Sequence, residues 1–295
     1  MTGPKAKSSP TASRPPQKKR PRKKLSETST GFDAWNFEPI AVMETDFKEK
    51  FGIPRQVGMA ANAKGVIRFK KDFRYSSAVR DLDRFSHIWV VFVFHQTGGD
   101  HGKSYDWKPT IRPPRLGGAK KVGVLASRSP HRPNPIGLSA LRLEKIEVAK
   151  NGDVSIHVEG VDILDGTPIL DIKPYLPYAD QIPDAKSGWA EKPIERNPVL
   201  YAPGMMERLE DFARTRMGLV ELVEDLLSLD PRPAFQRRRK PAKAESSYGL
   251  KYGFAVKDLD IQWTIEADGF RITAVDDLET AKALGRIPAK GKKVE

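Results

Sequence analysis

The chain contains no cysteine, which excludes a disulfide framework, a thiol nucleophile and a thiolate metal site. A reducing cytoplasm is the expected setting. Long hydrophobic runs are also missing. The longest, Ile88 to Phe94, has seven residues against the ~20 needed to cross a bilayer. No apolar stretch follows Met1 as a secretory leader requires, so neither secretion nor a membrane span is expected. No Gly-x-Gly-x-x-Gly or Walker sequence occurs, which argues against a conventional nucleotide fold. His87, His95, His101, His131 and His157 form no His-x-x-x-His pair and match no carboxylate cluster, and no metal site is expected. Ser129, His95 and Asp165 can be drawn as a hydrolase triad, yet the Gly-x-Ser-x-Gly elbow such enzymes use is absent.

Acidic side chains are missing from one end. Residues 1–24 carry nine Lys and Arg and no Asp or Glu. Without those nine, the chain's 51 basic residues fall to 42 against 38 acidic ones, so most of the net +13 belongs to this segment. Rich in Pro, Ser and Lys and poor in apolar side chains, it cannot offset its ordering entropy. A disordered basic arm is expected over residues 1–33, acting either as a solvated tail or as an attractor of nucleic-acid phosphates. Arg237, Arg238, Arg239 and Lys240 repeat the charge near the other end.

Between these lies a chain with 39% hydrophobic residues, enough for a core. Residues 37–44, 65–70, 85–96, 120–127, 138–149 and 153–164 read as strands, the last two joined by Asn151-Gly152, a hairpin signal. In 85–96, Ile88, Val90, Phe92 and Phe94 point one way while Trp89, Val91, Val93 and His95 point the other. Both faces are apolar, so this strand is central. No helical period appears before Asp180, and the expectation is a mainly β fold, an antiparallel β-barrel over residues 34–180. Residues 181–204 read as a linker. Residues 205–229 have helical spacing interrupted at Gly218, and Ile261, Trp263, Ile265 alternate against Phe270, Ile272, Ala274 about Asp268-Gly269. This predicts a small α+β C-terminal domain over 205–280, followed by a tail over 281–295.

Five segments stiffened by proline or glycine end the barrel strands: PRQVG (54–58), FHQTGG (94–99), RPPRLGG (112–118), SRSPHRPNPIG (127–137) and DILDGTPILDIKPYLP (162–177). Rigid loops on a sheet scaffold are how sites are commonly built. In this order, over roughly Phe37 to Pro177, the segments resemble the TsaA-like family of tRNA methyltransferases called TrmO. The likeness continues weakly through DPRPAF (230–235) and the final hairpin. The basic arm is outside the family pattern, and Phe235 stands where similar proteins have Tyr.

The resemblance implies a β-barrel methyltransferase that uses S-adenosylmethionine, works as a homodimer, and methylates N6 of threonylcarbamoyladenosine 3′ of the anticodon in threonine-type tRNAs. It implies cofactor contacts at Pro54, Arg55, Gln56, His95, Gln96, Arg128, Leu138, Asp165, Gly166, Thr167 and Pro168. Arg128 would grip the carboxylate with its forked donors, Leu138 would line the adenine slot, and Asp165 would accept from the ammonium or ribose. Arg115 and Arg132 suit RNA phosphates, and Lys173 and Tyr175 could read the substrate base. The catalytic base stays open among Asp171, Asp165 and Tyr175. The rival reading from another class is a non-catalytic RNA-binding barrel with basic tails.

Overall fold

A computed structural model describes residues 36–49, 52–72, 74–97 and 107–286; the basic arm expected over 1–33, and His101, lie outside the described residues. In chain order the elements are β1 (Ala41–Thr45), β2 (Lys64–Phe69), α1 (Arg74–Ala78), β3 (His87–Val93), β4 (Thr110–Ile111), β5 (Val122–Gly123), β6 (Ile136–Val148), β7 (Val154–Glu159), β8 (Thr167–Pro174) and α2 (Pro177–Asp180). They continue as β9 (Val199–Tyr201), α3 (Met205–Ala213), α4 (Leu219–Ser228), α5 (Ala234–Arg239), β10 (Lys251–Val256), β11 (Leu259–Ile265), β12 (Phe270–Asp277) and α6 (Leu278–Ala283).

Six strands close into a barrel in the order β1-β2-β7-β6-β3-β8, each adjacent pair antiparallel. Alternation decides what fills it. Ala41 and Met43 of β1, Ile88 and Val90 of β3, Leu141 of β6, Ile156 of β7 and Ile169 of β8 are all fully buried, while the residues between them face outward. β3 is flanked by β6 on one side and β8 on the other, the central place that its two apolar faces demand.

Two local expectations are corrected. Residues 120–127 do not form a full strand: only β5 pairs, with β4, and Val124–Ala126 turns into a 3-10 helix. The apolar residues Val122, Val124 and Leu125 lack the two-sided pairing that would hold them extended. Short helices also occur before Asp180, α1 and α2 among them, too brief to leave a hydrophobic period in the sequence.

Beyond the barrel, β10, β11 and β12 form an antiparallel sheet, and β9 adds to β12 in parallel. β9 thus lies in the stretch read as linker, and α6 runs into the stretch read as tail, with Ala281 buried. Gly218, at φ +74, breaks the long helical pattern into α3 and α4, because the left-handed region costs glycine nothing. The hairpin alternation is corrected at one point. A bulge between Gln262 and Trp263 shifts the register, so Val275 is buried in place of Ala274. Beneath the sheet, Arg232 is ion-paired with Asp230 at 2.6 Å, both buried, and its guanidinium lies 5.0 Å from the Tyr252 ring centre and 5.9 Å from that of Trp263. Phe47, Ala60 and Ala63, from the β1–β2 connection, belong to this C-terminal core. The connection that carries Pro54, Arg55 and Gln56 is therefore anchored in a second core as well as in the barrel.

Candidate functional site

One mouth of the barrel opens into a cavity of about 820 Å³. Its lining comes from separate stretches of chain. Pro54, Arg55 and Gln56 arrive on the β1–β2 connection; His95 and Gln96 follow β3; Arg128 sits before β6, Leu138 within it, and Thr167 opens β8. All eight were implied by the resemblance, and the fold brings them to one place. Trp89, Phe92 and Phe94 supply flat apolar wall.

Asp165, Gly166 and Pro168 are not brought into the lining. The Asp165 carboxylate accepts from the Thr45 amide at 2.9 Å and pairs with Lys48 at 2.8 Å. The Gly166 amide donates to the Met43 carbonyl at 2.8 Å, with φ at +72°, and Pro168 pairs across to Val42 on β1. These three shape the turn behind Thr167. Thr167 donates its hydroxyl to the Leu164 carbonyl at 2.7 Å and lies 3.4 Å from His95 Nδ1.

The polar end of the cavity is pre-ordered. Arg128 donates to the Gln56 side-chain carbonyl at 2.9 Å, and Arg132 donates to the Ser127 carbonyl at 3.2 Å, holding the proline-rich loop upon itself. Gly137 has a steric reason: a Cβ there would collide with the Phe92 ring. The aromatic wall and β6 can approach this closely only because that side chain is missing.

Of the three residues left open as a base, none lines the cavity among the described residues. Asp165 is committed as above. Asp171 is half exposed, paired with Lys173 at 3.1 Å and with the Ile172 amide at 2.9 Å. Tyr175 sits behind the wall, its ring centre 5.6 Å from that of Trp89. The carboxyl in the lining is instead Asp162, which sequence reasoning passed over. Ser139, itself buried, donates to it at 2.6 Å. Burial raises its pKa, against the pull of the Ser139 hydrogen bond and the Arg128 charge. A signal for it existed: a lone acid inside the apolar run Val161 to Leu164, where a carboxylate is costly unless it has work to do.

A larger cleft, about 1840 Å³, adjoins this cavity and shares Pro54, Arg55, Gln56, Arg128 and His131 with it. Its other walls come from the RPPRLGG segment, from 186–197, and from α5 of the C-terminal part. Arg55, Arg112, Arg115, Lys121, Arg128 and Arg237 line it, while its two acids, Asp230 and Glu195, are already paired with Arg232 and Lys243. Phe235 is about half exposed on α5. No group of three or more potential metal ligands occurs among the described residues. The arrangement is thus an apolar slot that also holds a cation, Arg128, and an acid, Asp162, adjoining a strongly positive cleft.

The comparisons with known proteins agree. The tRNA-methyltransferase O N-terminal domain matches residues 42–181, and the TrmO C-terminal domain matches 194–278. The tRNA (adenine(37)-N6)-methyltransferase of Escherichia coli K12 is 36% identical over 246 residues, covering 82% of this chain and 98% of that protein. A Pseudomonas aeruginosa protein, named for S-adenosylmethionine-dependent methyl transfer, is 40% identical over 228 residues, 76% of this chain and 90% of its own. The crystal structure of TrmO from Pseudomonas aeruginosa superposes with a TM-score of 0.66 at 33% identity, covering 84% of this chain and all of that one. The chain belongs to the TrmO family.

Proposed function

We propose that this protein is a tRNA methyltransferase that transfers a methyl group from S-adenosylmethionine to N6 of adenosine 37. The observation that carries the reading is the convergence of Gln56, His95, Arg128, Leu138 and Thr167 on one cavity, in a chain similar over most of its length to a tRNA (adenine(37)-N6)-methyltransferase. We further read the substrate as threonylcarbamoyladenosine in threonine tRNAs, and the protein as a cytoplasmic homodimer; these finer points rest on the resemblance of the loop motifs.

The cavity suits the cofactor. Its volume falls within the ~300–1,000 Å³ usual for small-molecule sites, lined by apolar wall with a few placed polar groups. Arg128, steadied by Gln56, matches a carboxylate, and the aromatic residues and Leu138 match a purine; Asp162 lies in the same lining as a proton acceptor. When bound, S-adenosylmethionine supplies an electrophilic methyl on a sulfonium. The chain's own part is alignment, exclusion of water and proton acceptance. Fixed loops hold the reacting partners at attack distance, which supplies much of a barrier reduction for a nucleophile as weak as a carbamoylated N6. The N6 proton passes to Asp162, whose raised pKa places it nearer to working pH than an ordinary carboxylate. The adjoining positive cleft receives the anticodon loop, whose splayed base is readable by stacking and edge contacts.

Isothermal titration with S-adenosylmethionine, together with mass spectrometry of tRNA nucleosides after incubation, tests the reading. Binding that is lost in Arg128→Ala, and a methyl group on adenosine 37, are the expected results. Heat-silent mixing alongside intact tRNA binding would leave only an RNA-binding barrel.

A further inference from the structure

Arg237 is a costly side chain as it stands. It projects from α5 into the larger cleft, and its Nε and Nη2 are buried with no hydrogen-bond partner. Buried donors normally find one, and a charged donor left unmatched is more expensive than a neutral one. The acid that attracts it, Asp230, is already used: its oxygens accept from Arg232 Nε and Nη2 at 2.7 and 2.6 Å. Arg55 lines the same cleft; loss of hydration on burial, with repulsion from Arg237 as the smaller cause, lowers its pKa to about 10. Arginine side chains stay charged at neutral pH, so the two carry like charges. The two guanidinium groups are thus brought to one cleft while Nε and Nη2 of Arg237 stay unmatched. α5 is not loosely held there, since Arg238 donates to the Gly117 carbonyl at 3.2 Å and ties the helix to the RPPRLGG segment.

We propose that Arg237 and Arg55 form an oxyanion site whose ligand is a backbone phosphodiester of the tRNA, next to the base being methylated. The inference rests on the reading of the cleft as the tRNA site. A phosphodiester carries one negative charge and two outward oxygens, which match forked guanidinium donors and relieve the repulsion between them. The cofactor carboxylate is the other oxyanion within reach of this enzyme. It is disfavoured because Arg237 lines the larger cleft and not the smaller cavity. The site would make the C-terminal part a contributor to substrate placement, with Arg55 acting at the junction of both cavities.

The test compares wild type, Arg237→Gln and Arg237→Lys in tRNA binding across a salt series and in titration with S-adenosylmethionine. Arg237→Gln should weaken tRNA binding about 10- to 100-fold, the worth of one or two charge-assisted hydrogen bonds. It should also lower the salt slope by about one and leave cofactor affinity and thermal stability unchanged or slightly improved. Arg237→Lys keeps the charge but not the fork, and should fall between; if Arg237→Gln does not fold, equality of Arg237→Lys with wild type overturns the site. Weakened cofactor binding with an unaltered tRNA slope would assign the oxyanion to the cofactor and overturn the RNA assignment. Unchanged values for both ligands would reduce Arg237 to a hydrated side chain. Wild-type protein that fails to bind tRNA at all would instead overturn the underlying functional reading.

Discussion

Arg128 and Gln56, 72 positions apart in sequence, meet at 2.9 Å across the mouth of the smaller cavity, guanidinium to side-chain carbonyl. The bond spends an acceptor on orienting a cation, which leaves the remaining donors of Arg128 directed by the protein and not by solvent. Arg128→Ala should lower S-adenosylmethionine affinity at least about tenfold, and Gln56→Ala should lower it less. If the two act as a unit, the double variant falls short of the sum of the single effects by roughly 0.5–3 kcal/mol. Additive losses in calorimetric titration would show that Gln56 does not position Arg128.

Asp162→Asn removes the carboxyl but retains an acceptor for Ser139. Single-turnover methylation should slow by about 10²- to 10⁴-fold, with S-adenosylmethionine affinity little changed. The pH dependence gives the sharper check. A base must be ionised, so the wild-type rate should rise with pH through the raised pKa of Asp162, and that limb should vanish in the variant. Stability runs the other way. Because the folded pKa lies above the unfolded one, the native state holds the proton more tightly, and stability from this group is present at low pH and lost as pH rises through the folded pKa. Asp162→Asn should therefore be at least as stable as wild type at neutral pH. A variant of unchanged rate would remove Asp162 from the mechanism.

Gly137→Ala places a methyl group against the Phe92 ring, which is 4% exposed and has little room to move. Overpacking of this kind costs about 1–3 kcal/mol, and here it also narrows the smaller cavity, which both residues line. Thermal denaturation and cofactor titration should both report a loss. Phe92→Leu in the same chain should recover part of the stability by giving up the colliding ring edge.

Arg232→Ala removes the buried ion-pair partner of Asp230 beneath the C-terminal sheet. Removing one partner of such a pair costs about 3–5 kcal/mol, visible as a lower urea midpoint. Phe47, Ala60 and Ala63 share that core, so the loss should reach the β1–β2 connection and weaken cofactor binding through Pro54, Arg55 and Gln56. Intact cofactor affinity in a measurably destabilised variant would show that the connection is held by the barrel alone.

Deleting residues 1–30 removes nine positive charges. The salt dependence of tRNA affinity should flatten while S-adenosylmethionine affinity stays as it was. An unaltered slope would make the arm a solvated tail.

Much of this was written in the chain itself. Alternating and β-prone runs marked five of the six barrel strands and the central place of β3, because a period of two sets which side chains share a face; the sixth, β8, lies in a segment read as a stiff loop. Proline and glycine marked the loops that carry the site, and Gly218 marked the break between α3 and α4. Two local features were beyond such reasoning. The bulge that buries Val275 in place of Ala274 is set by pairing across strands, and the collapse of 120–127 into β5 and a 3-10 turn is set by a missing neighbour. The site divides in the same way. Motifs named eight residues that line the smaller cavity, since residue type and order are local. Only the folded chain showed that Asp165 is tied to Thr45 and Lys48 while Asp162 faces the cavity, and that Arg237 ends beside Arg55. Those outcomes depend on which groups, far apart in sequence, are brought within hydrogen-bonding distance and shut away from water.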